Sequence, residues 1–235
     1  MNSIKKNARI AGFLYLLLAT GTVNLIYVPR TLIVRDNAAA TAANITAHEA
    51  LFRLGIASGL VSAVIFIFVA LALYRLLKGV NQNHSALMVI LVLVSVPIGF
   101  VNELNNLAAL ALVSGSAYLS VFRTDQLHAL ALLFLRLHGF GSTVNSIFWG
   151  LWLFPFGLLV YHSRFIPRIL GVWLIINCFG YLAISFTSLL LPQYREVVFR
   201  AALPALLGEL AIMLWLLIPG ARPQPPADPA AASGG

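Results

Sequence analysis

The sequence predicts an all-α protein, a polytopic integral membrane helix bundle with about six transmembrane helices. Hydrophobic residues make up 60% of the 235 residues and charged residues only 9%, whereas a soluble domain carries about 25% charged residues. The apolar runs are continuous and long enough to cross a hydrocarbon layer of about 30 Å. They lack the apolar–polar alternation over about ten residues that marks a transmembrane barrel. We therefore expect one membrane-embedded domain over residues 1–220, with the lipid bilayer as its main partner.

Polar signals bound the first three predicted helices. Lys5, Lys6 and Arg9 precede the first helix, and such cations are typical of the cytoplasmic side of a membrane helix. A loop is expected over residues 30–46. Thr46 and Glu49 have the spacing of a capping box, which would begin the second helix. A short basic turn then separates the second helix from the third.

The last three predicted helices follow the same pattern. A lead-in segment precedes the fourth helix, which contains Pro155. Membrane helices tolerate proline when neighbouring groups bond the carbonyl that it frees. Pro192 ends the fifth helix. The six helices are predicted at residues 10–28, 47–77, 86–113, 137–161, 167–191 and 197–219. The tail at 221–235, rich in Pro, Ala, Gly and Ser, is predicted to be disordered.

The basic residues predict orientation rather than a nucleic-acid partner. The net charge is +8, but the Lys and Arg residues are spread over the helix ends, where membrane topology places them. With the N-terminus inside, eight of them fall on the inner side and seven on the outer side. The inner turns are short and free of acidic residues. We therefore predict that both ends of the chain lie inside the cell and that no nucleic acid is bound.

Two helix pairs begin with similar sequences. Residues 9–12 read RIAG and residues 168–171 read RILG, and each tetrapeptide is followed by eight residues and then a glycine. Phe-Arg opens both the second and the sixth helix, at residues 52–53 and 199–200. This suggests a parallel repeat of three helical hairpins, as some transporters use. Chance is the alternative, because glycine and arginine are common in membrane helices.

Ionisable and amide side chains at membrane depth define the candidate site. A charged side chain at the bilayer centre costs about 2.5–3.5 kcal/mol or more, so such groups face protein or water. Their similar depth predicts an outward-facing polar cavity that binds or transports a small ligand or ion. Arginines there would attract a small anion or a lipid headgroup, and Glu209 is a candidate proton site. The predicted ligand-binding residues are Arg53, Glu103, Arg136, His138, Asn145, Arg200 and Glu209.

Two other functions stay open. In a structural or accessory subunit without ligand, Arg53 or Arg200 would pair with Glu103 or Glu209, and amides would join the helices. A membrane-embedded metal-dependent enzyme is the other alternative, but the chain has no H-E-x-x-H and no two histidines four residues apart. A single cysteine provides neither a disulfide nor a metal framework. No catalytic residue, metal ligand or cofactor is assigned, and no oligomeric state is indicated.

Several segments together carry a family resemblance. They read AHEALFRLGIAS, LALYRLLKGVN, QLHALALLFLRLHGFG, FGLLVYHSRFIPRILG and LLGELAIMLWLLIPG. In order and spacing they resemble a bacterial family of multi-pass membrane proteins catalogued as a domain of unknown function, from Arg9 to Gly220. The resemblance implies a bundle of about six helices in the bacterial inner (plasma) membrane. It implies no activity, cofactor or site residue.

Overall fold

The computed structural model describes residues 3–221, which form helices joined by turns with no strand among them. Six helical spans in this part of the chain are long and apolar enough to cross a membrane. From first to sixth they cover Ser3–Leu32, Glu49–Leu77, Gln82–Val113, Thr124–His162, Arg168–Leu190 and Pro192–Leu217. The predicted all-α membrane bundle is thereby confirmed. The predicted disordered tail, apart from Ala221, lies outside the described residues.

The six spans form a closed ring in chain order. Each span packs against the next, and the first packs against the sixth. Large apolar side chains such as Leu54, Val101 and Ile169 are exposed on the outside of the ring, at 63%, 64% and 67%. In a soluble protein so much exposed apolar surface would be a liability. Here it forms the surface that faces lipid.

Two apolar clusters fill the ring at different heights, and a polar layer separates them. The larger cluster contains residues from all six spans, including Tyr15, Leu73, Met88, Trp152, Leu174 and Ile212. The smaller cluster joins the first four spans near the other membrane face, with Val28, Phe52, Leu110 and Leu135 among its members. Between these clusters, the buried residues are Asn102, Glu103 and Asn106 in the third span and His138, Asn145 and Gly150 in the fourth. Because their apolar ends are packed, these spans hold the polar layer at a defined depth.

The first span has an irregular middle section. It is α-helical over Ser3–Leu18, 3₁₀-helical over Ala19–Gly21, π-helical over Val23–Tyr27 and α-helical again over Val28–Leu32. Pro29 explains part of this, because proline has no N–H and its ring clashes with the carbonyl four residues earlier. Backbone that departs from an α-helix at membrane depth is tolerated where it is buried in protein or lines a cavity.

The segment between the first two spans differs from the prediction. The expected loop contains a helix, Ala38–Ala47, and the Asn37 side chain caps it by accepting from the Ala40 N–H at 2.9 Å. The capping-box prediction is wrong. The Thr46 hydroxyl bonds the Ala42 carbonyl at 2.9 Å, and the second span begins at Glu49 without a side-chain cap. The alanine-rich stretch has high helix propensity, so Thr46 lies at the end of one helix rather than the start of the next.

The fourth span is longer than predicted. The expected lead-in is continuous with it, and the helix runs over Thr124–Leu151, breaks at Trp152 and resumes over Leu153–His162. Pro155 accounts for the break, since its ring clashes with the carbonyl of Leu151, four residues earlier. The break brings the Trp152 ring into the centre of the bundle, where it is 1% exposed.

The glycines of the sequence repeat occupy matching positions in the ring. A Cβ added to Gly12 would collide with the backbone of the sixth span, and one added to Gly171 with the backbone of the fourth. Gly21 lies against a serine of the second span and Gly180 against alanines of the sixth. Each pair thus contacts the preceding and the following span of the ring. This agrees with a three-hairpin repeat, which stays a prediction.

Candidate functional site

A cavity of about 230 Å³ lies inside the ring, and all six spans contribute to its lining. Of the described residues that line it, none is Lys or Arg. Its ionisable side chains are two carboxylates, one imidazole and one phenol, so its electrostatic character is negative rather than positive. Its polar lining residues are Thr22, Asn24, Ser62, Ser95, Asn102, Glu103, His138, Ser142, Asn145, Tyr181 and Glu209.

Glu103 lies at the centre of a buried polar cluster. Asn24 of the first span donates to its Oε1, and Asn106 donates to its Oε2 at 2.8 Å. His138 Nε2 of the fourth span lies 3.2 Å from Oε1. All four residues are less than a tenth exposed. Buried polar groups are stable only when they are hydrogen-bonded, and each carboxylate oxygen of Glu103 has a partner from the protein itself.

The irregular first span and a glycine make this cluster possible. Asn24 lies in the π-helical turn, and single π-helical turns are frequent at functional sites. Gly59 of the second span lies directly behind the cluster. A Cβ at Gly59 would collide with Asn24 Nδ2 and lie 2.8 Å from Glu103 Oε1. Only glycine therefore leaves room for the Asn24–Glu103 contact.

Amide and hydroxyl groups join the third and fourth spans beside the cavity. Asn102 donates to the His138 carbonyl at 2.9 Å. Ser95 donates from its hydroxyl to Asn145 Oδ1 at 2.9 Å and accepts from the Trp149 indole at 3.1 Å. Hydrogen bonds of this kind hold membrane helices together. They also set the rotation of the fourth span, which turns His138 and Asn145 towards the cavity.

Glu209 of the sixth span has different surroundings. The Tyr15 hydroxyl donates to its Oε2 at 2.5 Å, and Asn177 Nδ2 lies 3.3 Å from its Oε1. The Tyr181 hydroxyl also hydrogen-bonds this carboxylate. These groups are neutral donors. Within residues 3–221, Glu209 is the one carboxylate without a basic partner. The pairs of the other five are Asp36–Arg136, Glu49–Arg53, Glu103–His138, Asp125–Arg123 and Glu196–Arg200.

The structure brings only some of the predicted site residues together. Glu103, His138, Asn145 and Glu209 all line the cavity. Tyr15, Tyr181 and Gly59 escaped the sequence reasoning, because a tyrosine or glycine within an apolar run has many structural uses. Their contacts with the two glutamates are the signal, and that signal appears only once the spans are packed.

The three predicted arginines lie elsewhere, so the expected arginine-lined cavity is corrected. Their side chains are 59%, 54% and 74% exposed, and each pairs with a carboxylate at the surface, as Arg53–Glu49, Arg136–Asp36 and Arg200–Glu196. The structural alternative had expected Arg53 or Arg200 to pair with Glu103 or Glu209. Neither arginine forms such a pair. A long arginine side chain near a helix end extends to the polar boundary, where its charge stays hydrated.

Metal-ligating side chains do not converge in threes within the part of the chain that the structure describes. Residues 3–221 contain no group of three or more His, Cys, Asp or Glu side chains placed to hold a metal ion. Catalytic zinc sites use three protein ligands around one ion. Glu103 and His138 form a pair without a third ligand of these types.

The ring of apolar spans and its central cavity define a multi-pass helical membrane protein with a polar site at membrane depth. Residues 10–220 match the family described as "Domain of unknown function (DUF4386)", and the chain belongs to this family. The resemblance of the five sequence segments is thereby confirmed. No curated protein matches the chain, and no solved structure matches it.

Proposed function

We propose that this protein binds a small solute or ion in the central cavity and transports it across the membrane. One observation carries the proposal: two carboxylates, Glu103 and Glu209, line a single cavity beside the irregular backbone of the first span. Secondary transporters build their substrate sites from interrupted helices near the bilayer midplane. A bundle with a structural role alone has no need of an interrupted helix around a polar cavity.

The lining residues favour a cation, or a solute with a positively charged group. The earlier expectation of a small anion or lipid headgroup depended on Arg53, Arg136 and Arg200. These arginines are paired at the surface. With glutamates as the strongest charges of the cavity, an anion would be repelled and a cation attracted.

The location and orientation belong to the same proposal. Continuous apolar helices and basic helix ends support residence in the bacterial inner membrane with both chain ends inside the cell. In this orientation the Glu103 cluster lies towards the outside. Reporter fusions after Gly220 that are active only in the cytoplasm would support the orientation, and activity only outside the cell would contradict it.

A cavity-filling variant tests the binding site. Gly99 lines the cavity, and a Cβ there would meet only Asn145 Nδ2 within 4 Å, at 3.5 Å. Gly99→Leu therefore extends into the cavity without a backbone collision. Gly139 has no heavy atom within 4 Å of an added Cβ and is exposed on the outside of the ring. Gly139→Leu is therefore the matched control.

The measurement is thermal unfolding of detergent-purified protein with alkali cations, organic ammonium ions, amino acids, carboxylates and phosphate. A solute at about 100 times its Kd adds about 2.7 kcal/mol to the free energy of unfolding. We expect one solute class to raise the unfolding temperature of the wild type and Gly139→Leu but not of Gly99→Leu. If every shift is the same in all three proteins, the cavity is not a binding site.

A structural or accessory role is the second candidate. The observation in its favour is the complete hydrogen bonding of Glu103, whose contacts join the first, third and fourth spans. In that case no solute would stabilise the wild type. Replacement of Glu103 would then reduce only the stability of the bundle.

A further inference from the structure

The charge of Glu209 lacks a counterion within the described protein. Its contacts are the hydroxyls of Tyr15 and Tyr181 and the Asn177 amide, and residues 3–221 supply it with no salt bridge. An unpaired ionised carboxylate at membrane depth is costly. A positively charged group is therefore what the surroundings of Glu209 lack.

Aromatic side chains share the cavity with Glu209. Phe66, Trp149, Trp152 and Tyr181 all line it. The Trp152 ring is held in place by Phe66, whose centroid is 5.1 Å away edge-on, and by Phe156, which stacks on it at 5.4 Å. Aromatic faces attract cations within about 6 Å of the ring centroid, and aromatic cages recognise quaternary ammonium groups. The rings are therefore suited to a cation that carries carbon groups.

We propose that the cavity binds a small organic ammonium ion, with Glu209 facing its charge and the rings of Phe66, Trp149 and Tyr181 beside its carbon groups. The inference rests on the proposed solute-binding function and names its substrate class. A hydrated alkali ion fits less well, because hard cations need several oxygen ligands and this end of the cavity offers mainly aromatic carbon.

Choline and its uncharged isostere 3,3-dimethyl-1-butanol provide a direct test in the wild-type protein. The two molecules have nearly the same shape, and only choline carries a charge. Binding is measured by calorimetry in detergent, with tetramethylammonium and n-butylamine as further ammonium probes and potassium chloride as the salt control. We expect ammonium binding at least about tenfold tighter than binding of the isostere, because the ionic contact is made only by the charged molecule.

Two matched variants locate the charge contact. Glu209→Gln keeps the size of the side chain and removes its charge. Glu196→Gln makes the same change in the same span, at an exposed glutamate that pairs with Arg200. We expect Glu209→Gln to weaken ammonium binding by about tenfold or more and Glu196→Gln to leave it unchanged. The comparison of choline with its isostere needs no variant, so it remains decisive if Glu209→Gln does not fold.

The outcomes separate this inference from the proposed function. If none of the three ammonium ions binds, or if the isostere binds as tightly as choline, the inference fails. Ammonium binding that Glu209→Gln leaves intact would also overturn it. If another solute then binds the wild type and not Gly99→Leu, the proposed function stands with a different substrate class. If no solute is sensitive to Gly99→Leu, both fail.

Discussion

Glu103 and Glu209 line the same cavity at membrane depth, but their surroundings differ. Glu103 is bonded by two asparagine amides and lies beside the imidazole of His138. Glu209 is bonded by two tyrosine hydroxyls and one amide, and has no basic partner in the described chain. The protein's own side chains thus provide Glu103 with a basic partner, whereas the charge of Glu209 is open to a ligand. Changes at Glu103 should affect mainly stability, and changes at Glu209 mainly binding.

The largest loss of stability is expected from Gly59→Ala. The added methyl would collide with Asn24 and Glu103 and force the cluster apart, at a cost of about 1–3 kcal/mol for overpacking. Chemical or thermal unfolding in detergent measures the change. Gly139→Ala is the control, since an added Cβ there meets nothing within 4 Å. Equal stability of the two variants would show that the tight contact at Gly59 has no energetic importance.

The second prediction compares the stability of variants at the two glutamates. Glu103→Gln replaces one carboxylate oxygen by an amide donor, which then faces the donating amide of Asn24 or of Asn106. We expect it to lower the free energy of unfolding by about 0.6–1.7 kcal/mol, the range for interhelical polar contacts in membranes. Glu209→Gln should lower it less, because it removes a carboxylate without a counterion and the tyrosine hydroxyl beside it can accept as well as donate a hydrogen bond. Unfolding of both variants without added solute provides the measurement. A larger loss of stability in Glu209→Gln than in Glu103→Gln would contradict the assignment of the structural role to Glu103.

Removal of one neutral donor from Glu209 should have a smaller effect. Tyr15→Phe deletes the hydroxyl that donates to Glu209 at 2.5 Å, so we expect a loss of about 0.6 kcal/mol in stability. Ammonium binding should persist, since the carboxylate remains. Tyr118→Phe is the control, at a tyrosine that is 71% exposed. Loss of binding in Tyr15→Phe would instead assign the phenol itself to the ligand site.

The smallest effect is expected at the arginines that the sequence placed in the site. Arg53→Gln and Arg200→Gln each break an exposed contact with a glutamate one turn away. Such surface pairs contribute about 0.2–1 kcal/mol, and neither side chain lines the cavity. Ammonium affinity should therefore stay at the wild-type value in both variants. A marked fall in ammonium affinity would show that these arginines contribute to the binding site.

Hydropathy and charge placement were enough to predict the membrane bundle and its six spans. The predicted spans at residues 86–113 and 167–191 correspond to the observed Gln82–Val113 and Arg168–Leu190. Local sequence was a weaker guide at Thr46, where a capping pattern falls inside another helix. Short polar motifs compete with the helix propensity of their neighbours, so their reading depends on residues beyond the motif.

The sequence by itself determined that the chain spans a membrane and that Glu103, His138, Asn145 and Glu209 lie at membrane depth, because the free energy of transfer into hydrocarbon depends on residue type. Tertiary structure alone decided which side chains meet. The direction of a side chain depends on the rotation of its helix, and packing against neighbouring spans sets that rotation. Packing therefore turned the glutamates towards a shared cavity. The three predicted arginines could instead reach carboxylates at the hydrated surface, where their charge costs least.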